Sequence, residues 1–254
     1  MQTARNLLYS AWKKLIAAYL LSATAGLIGG TLLIRLAGLP PEHIFEASTK
    51  RLSYALPLFE AGSRYGLDLG ILLFLWNLTG ALTTISFLYT AAWFDPDRLD
   101  SSPRGLRKIF CGRKKMKLLC HLPGCAKIEA EPLRRLFVWL MAPMLGMMLL
   151  GIESGLLVST TTFISGSFLA AVVSLLPHGL VEISTFALAG AVPFSAHLRI
   201  RETAQHNLTQ TVFQKLEAHR KAMPSQRMIW IVVAGLLLSG LVEAHITPYL
   251  MRLI

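Results

Sequence analysis

Five long apolar stretches alternate with polar and charged stretches along this chain. They cover approximately residues 15–36, 67–94, 136–157, 163–195 and 228–250. An α-helix needs about 20 apolar residues to cross about 30 Å of hydrocarbon, and each stretch is at least that long. The pattern therefore predicts an all-α polytopic membrane helix bundle with about five transmembrane helices, and residues 1–254 are expected to form a single integral membrane domain.

The fourth apolar stretch is longer than one straight span needs, since an α-helix rises about 1.5 Å per residue. Pro177 lies near its middle and Gly179 follows closely. Proline removes a backbone donor and disfavours helical geometry in the residue before it. We therefore expect the fourth helix to be broken at Pro177, with a new helix starting at His178 inside the membrane. A short polar turn over residues 159–162 is expected to precede this stretch.

A few polar side chains interrupt the apolar stretches, where an ionisable group is costly. His178 and Glu182 lie four residues apart, on one face of a helix. They could form a polar lock between helices, a proton relay or half of a metal site, and the lock is the preferred interpretation. Depth counted at about 1.5 Å per residue puts all these polar residues at a similar level of the bilayer. We therefore expect one intramembrane cluster, comprising Asn77, Glu153, His178, Glu182 and Glu243.

The composition agrees with a membrane protein, since 54% of residues are hydrophobic and only 15% are charged. The net charge is +11, which raises nucleic acid or anionic lipid as partners. The basic residues lie between the apolar stretches, and Phe110 is the only aromatic residue within the basic cluster of the loop at 95–135. Anionic headgroups of the lipid bilayer are therefore the expected partner of this loop, and no nucleic acid is expected.

Lys and Arg are concentrated in the loop at 95–135 and in a polar, amphipathic segment at 196–227. Basic loops stay on the cytoplasmic side of a membrane. With five spans, this bias predicts a cytoplasmic N-terminus and a C-terminus outside the cell (inner) membrane.

The three cysteines all lie in the basic loop, and their odd number argues against a disulfide framework. With one histidine they supply the ligand set of a Cys₃His zinc site. Their spacing is irregular and lacks a Cys-x-x-Cys pair, so free thiols are preferred over a structural zinc and no other cofactor is expected. The four candidate ligands are Cys111, Cys120, His121 and Cys125.

Two motifs carry a resemblance to a known family. The sequence PHGLVEISTFALAGA, residues 177–191, resembles the Pro-His-Gly-x-x-Glu signature of the stage II sporulation protein M family. LVEAHITP in the last stretch resembles the closing Glu-x-x-x-Thr-Pro of that family, and the stretch with Asn77 resembles a family helix that also carries an Asn. The resemblance covers roughly residues 67–250, whereas the basic cysteine loop matches nothing in the family.

The resemblance implies a multipass inner-membrane protein without established enzymatic activity. In spore formers the namesake looks like a scaffold for enzymes that remodel peptidoglycan, and a sporulation role is not implied for this chain. A non-enzymatic scaffold or assembly subunit, with other membrane or envelope proteins as partners, is thus the leading expectation. A transporter or channel component that uses the intramembrane His and Glu residues is the alternative, and an enzyme is the weakest, because no catalytic constellation is present. Homo-oligomerisation is left open.

Overall fold

The structure is a computed structural model that describes residues 4–95, 128–206 and 208–253, and this part of the chain is helical and contains no strands. Five of its helical segments are long and apolar enough to cross a membrane. The predicted all-α membrane bundle is therefore confirmed. The five segments contain α1 (Ala4–Arg35), α4 (Leu69–Thr90), α5 (Glu131–Ser165), α6 (Phe168–Gln205) and α8 (Ser225–Leu241).

Shorter helices fill the connections between these segments. Between α1 and α4 the chain forms α2 (Pro41–Thr49), a 3₁₀ turn (Lys50–Ala55) and α3 (Leu56–Arg64). A further 3₁₀ turn (Ala91–Phe94) prolongs α4. Beyond α6, the segment predicted as amphipathic comprises the end of α6 and the separate helix α7 (Thr209–Ala222). After α8 come a π-helical turn (Val242–Ile246) and α9 (Thr247–Met251).

The predicted helix break at Pro177 and Gly179 is wrong, because α6 runs unbroken through both residues. A proline removes only one backbone donor, and helices in membranes tolerate it where neighbouring groups compensate. The chain turns instead between α5 and α6, where Gly166 has a φ of 70°. Residues other than glycine rarely adopt that backbone conformation. Gly166 therefore ends the third span, and the fourth begins just after it.

The predicted polar turn at residues 159–162 is also wrong, since these residues belong to α5. The hydroxyl of Thr160 donates to the Leu156 carbonyl at 3.0 Å, and that of Thr162 to the Val158 carbonyl at 2.7 Å. Hydroxyls that bond to the preceding turn of their own helix need no water. A run of Ser and Thr can therefore continue a helix within an apolar stretch.

The chain divides into two compact units. The first comprises Met1–Trp12, Thr83–Pro143 and Gly190–Ser225, and the second comprises Lys13–Leu82, Met144–Ala189 and Gln226–Ile254.

Within the first unit, two histidines are buried among apolar side chains. The ring of His197 lies 4.2 Å from that of Phe137, and its Nδ1 lies 3.3 Å from the Phe137 carbonyl oxygen. His219 Nε2 lies 2.9 Å from the Ser195 hydroxyl and so joins α7 to α6. Burial lowers the pKa of His219 to about 4, and the nearby charge of Arg199 acts in the same direction. His219 is therefore a neutral structural residue at pH 7.

Within the second unit, glycines allow helix backbones to touch. A Cβ at Gly26 of α1 would overlap the backbone of Ile152, and a Cβ at Gly151 or Gly155 of α5 would overlap the backbone of α1. Gly70 of α4 and Gly240 of α8 face each other in the same way. Small residues at helix interfaces are what permits such close approach in membranes.

Candidate functional site

Three ionisable side chains meet in the second unit, and we call them the His–Glu–Glu cluster: His178, Glu182 and Glu243. One ring nitrogen of His178 and one carboxylate oxygen from each glutamate all lie within 4.8 Å of one another, and all three residues are half-buried. The i,i+4 spacing of His178 and Glu182 places both on one face of α6. Glu243 lies in the π-helical turn after α8, which places its carboxylate next to that face of α6.

The carboxylate of Glu182 is held by donors from two other helices. Asn77 of α4 donates from Nδ2 to Oε1 of Glu182 at 3.2 Å. The Ser239 hydroxyl of α8 lies 3.4 Å from Oε2 of Glu182 and 3.2 Å from the His178 carbonyl oxygen. Ser239 has one proton for these two acceptors, so Glu182 accepts from Asn77 of α4 and shares the Ser239 proton of α8 with the His178 carbonyl.

His178 is oriented by Thr247, the first residue of α9. Its Nδ1 lies 3.3 Å from the Thr247 hydroxyl, which itself lies 3.3 Å from the Val242 carbonyl oxygen. A hydroxyl has one proton to donate. When Thr247 gives that proton to Val242, His178 must donate from Nδ1, which leaves Nε2 of the neutral ring with a free lone pair.

The π-helical turn shapes this part of the last span. The Thr247 N–H bonds to the Val242 carbonyl five residues earlier, which is the π pattern, and the Thr247 hydroxyl is directed at the same oxygen. Pro248 follows and has no N–H, so the Ala244 carbonyl cannot have its usual α-helical partner. Single π turns of this kind often mark functional sites.

Glu153 has a different partner from the other four predicted residues. Its Oε2 lies 3.3 Å from Nη2 of Arg51, a residue of the 3₁₀ turn between α2 and α3. Arg51 is also close enough to act electrostatically on Glu182. The structure thus brings Asn77, His178, Glu182 and Glu243 together and attaches Glu153 to the loop cation Arg51.

An exposed contact between a histidine and an aspartate lies along the chain from the cluster. His245, two residues after Glu243 in the π-helical turn, lies with Nε2 3.2 Å from Oδ2 of Asp68. Asp68 also accepts a hydrogen bond from the Gly70 N–H at 2.8 Å, at the start of α4. Partial desolvation would raise the pKa of the Asp68 carboxyl, but the hydrogen bonds from Gly70 and His245 outweigh it and hold that pKa below its usual value.

Arg51 and Ser239 were not singled out in the sequence, and Thr247 entered only as the threonine of the motif LVEAHITP, with no role of its own. Ser239 and Thr247 are hydroxyl residues, which carry little cost in a helix and so gave no strong signal. Arg51 lies in a loop far along the chain from Glu153. The candidate zinc ligands Cys111, Cys120, His121 and Cys125 lie outside the described residues, so the zinc site stays a prediction.

The fold and the cluster define the class of protein: a multi-pass membrane helix bundle with ionisable side chains gathered among its spans. The family model of Stage II sporulation protein M matches residues 120–248, about half of the chain, and the chain belongs to this family. The match includes the whole His–Glu–Glu cluster, whereas Asn77 precedes it. No match was found among curated proteins or among solved structures.

Proposed function

We propose that this protein is a non-enzymatic scaffold or assembly subunit of a membrane complex linked to cell-envelope remodelling. The observation that carries the proposal is the use of polar side chains as contacts between helices. Asn77, Ser239 and the His–Glu–Glu cluster join α4, α6 and the last span. A scaffold needs fixed relative positions of its helices, and hydrogen bonds between helices in hydrocarbon provide them.

Family membership supports a role in the membrane, and the energetics support a structural use of the cluster. An ionisable side chain at the centre of a span costs about 3 kcal/mol on insertion scales. Mutual contact and hydrogen bonding offset part of that cost. As part of the proposal, the basic loops at 95–135 and 196–227 lie in the cytoplasm, the protein resides in the inner membrane, and its partners are other membrane or envelope proteins.

Affinity purification from native membranes in mild detergent, followed by mass spectrometry, tests the scaffold role. Wild type and Glu182→Gln should recover envelope or membrane proteins at similar levels, because glutamine keeps the size and hydrogen bonding of the side chain. Glu182→Leu, compared at equal amounts of monodisperse protein, should recover several-fold less. Recovery of no partner, or of a nucleotide-binding ATPase with a substrate-binding protein, would contradict the scaffold role.

A transporter or channel component is the second candidate, favoured by the exposed Asp68–His245 pair beside the cluster. His245 and Glu243 share the π-helical turn, so polar groups continue from an exposed position to a half-buried one. Proton flux into proteoliposomes, followed with a lumenal pH dye, tests this candidate. A flux that Glu243→Gln abolishes and Glu153→Gln preserves would support it, and the absence of flux above empty liposomes would contradict it.

A further inference from the structure

We propose that the His–Glu–Glu cluster binds a divalent transition-metal ion of the zinc, manganese or iron class. His178 would supply a ring nitrogen, and Glu182 and Glu243 one carboxylate oxygen each. This inference is independent of the scaffold role, since metal binding can be measured on purified protein without any partner.

The ligand set is the first argument. One imidazole and two carboxylates form a mixed nitrogen and oxygen site, which suits zinc, manganese and ferrous ions better than soft copper(I) or magnesium. The three donor atoms already lie within 4.8 Å of one another. A tetrahedral ion with bonds of about 2.1 Å holds its donors about 3.4 Å apart. Closing the remaining gap calls for rotation of the Glu243 side chain and only a small adjustment of Glu182, which Asn77 and Ser239 hold.

The second argument is charge. Glu182 and Glu243 lie close together within apolar spans, and the nearby cation Arg51 is paired with Glu153 at 3.3 Å. Among the residues that the structure describes, no hydrogen-bond donor contacts the Glu243 carboxylate, although this side chain is half-buried. A carboxylate that lies close to another carboxylate and accepts no hydrogen bond of its own is in a position that a divalent cation would stabilise.

The third argument is orientation of the ligands by neighbouring groups. Metal-binding histidines generally donate their second N–H to a nearby acceptor, which fixes the ring and the tautomer. His178 meets that condition in the tautomer whose Nδ1–H donates to the Thr247 hydroxyl, 3.3 Å away, because Nε2 then carries the free lone pair. Glu182 is likewise held by Asn77 and Ser239.

Two exposed side chains near Glu243 offer an ion a route from solvent to the cluster. A metal site needs a path from solvent. His245 and Asp68 are both exposed, and His245 lies in the same π-helical turn as Glu243. These two side chains offer transient ligands where an ion would approach.

The test uses the full chain with its three cysteines replaced, so that loop thiols cannot bind the metal. The background variant is Cys111→Ser, Cys120→Ser, Cys125→Ser. After treatment with a chelator in mild detergent, the protein is titrated with zinc and with manganese by calorimetry, and retained metal is measured by mass spectrometry. We expect about one ion per chain.

Three variants in this background localise the ion. Glu243→Gln removes a ligand and should weaken binding by at least about ten-fold, and Thr247→Val, which loses the hydroxyl that orients His178, should weaken it by about 10–100-fold. Glu60→Gln is the matched control, since it removes an exposed carboxylate of α3 outside the cluster, and it should bind like the background. Each variant is first shown to be monodisperse. No retained zinc or manganese, or an equal loss in Glu60→Gln and Glu243→Gln, would overturn the proposal.

Discussion

Replacing Gly155 by alanine would force α1 and α5 apart, because the new Cβ would meet backbone atoms. It would lie 2.5 Å from the Leu27 nitrogen and 2.9 Å from the Gly26 carbonyl carbon, and it would overlap the Ala23 carbonyl oxygen. Backbone cannot rotate away as a side chain can. An ordinary contact begins at 3.4 Å, so restoring it for the Leu27 nitrogen alone requires the helices to separate by about 1 Å.

Such overpacking of a close contact costs about 1–3 kcal/mol. For a chain of this size the corresponding fall in melting temperature is about 2–12 °C. The assay is thermal unfolding of the full chain in mild detergent, followed by fluorescence-detected size exclusion. Two matched controls add the same methyl group to the same helices, Gly146→Ala in α5 and Gly29→Ala in α1, where a Cβ meets nothing within 4 Å.

The controls should match wild type or melt slightly higher, since alanine is the better helix former. A Gly155→Ala protein that melts with the controls would refute the close backbone contact between α1 and α5.

Three further predictions address the other features. Glu182→Gln should retain more folded protein in detergent than Glu182→Leu, because glutamine can still accept from Asn77; equal yields would contradict the hydrogen-bonded cluster. His219 has a folded pKa of about 4, below the usual histidine value of about 6.5, so its contribution to stability is complete above pH 6.5 and falls as the pH drops towards 4, by up to about 3 kcal/mol. The melting temperature of wild type should therefore fall between pH 7 and pH 5, and that of His219→Gln should fall less; identical profiles would refute the assignment. An impermeant thiol reagent applied to intact cells should label none of the three loop cysteines unless the membrane is permeabilised, and labelling without permeabilisation would reverse the predicted topology of the loop with Cys111, Cys120 and Cys125.

The number and type of spans were predictable because length and hydropathy are local properties of the sequence. Polar residues in apolar stretches were also visible, since each is costly there and must have a reason. A rise of about 1.5 Å per residue then placed five such residues at a similar depth, Glu153 among them, although Glu153 pairs with Arg51 and not with Asn77, His178, Glu182 and Glu243. The structure has these four in contact, although depth alone could not show which faces of the helices meet.

The end of the third span and the partner of Glu153 could not be predicted from local patterns. Pro177 is the stronger helix breaker in the sequence, yet α6 continues through it. A helix in a membrane tolerates a proline where neighbouring groups compensate for the missing N–H, and those groups come from other parts of the chain. Gly166 ends the helix because of its backbone conformation, which the sequence alone does not reveal. The Arg51–Glu153 pair joins residues about a hundred positions apart, and no periodicity reports such a contact.

The His–Glu–Glu cluster depends on how closely α8 lies against α4 and α6. Ser239 has a short side chain, and its hydroxyl reaches the His178 carbonyl at 3.2 Å only because the helix backbones are close. Gly235 and Gly240 flank Ser239 in the chain: a Cβ on the first would overlap Thr185 of α6, and one on the second would lie 2.5 Å from the Gly70 carbonyl oxygen of α4. The small residues thus set the distance between the helices, and the polar residues are placed to use it. An added methyl at Gly235 should therefore weaken the contacts of Ser239, although it changes no residue of the cluster. The cluster thus depends on the distance between the helices as well as on its residue types.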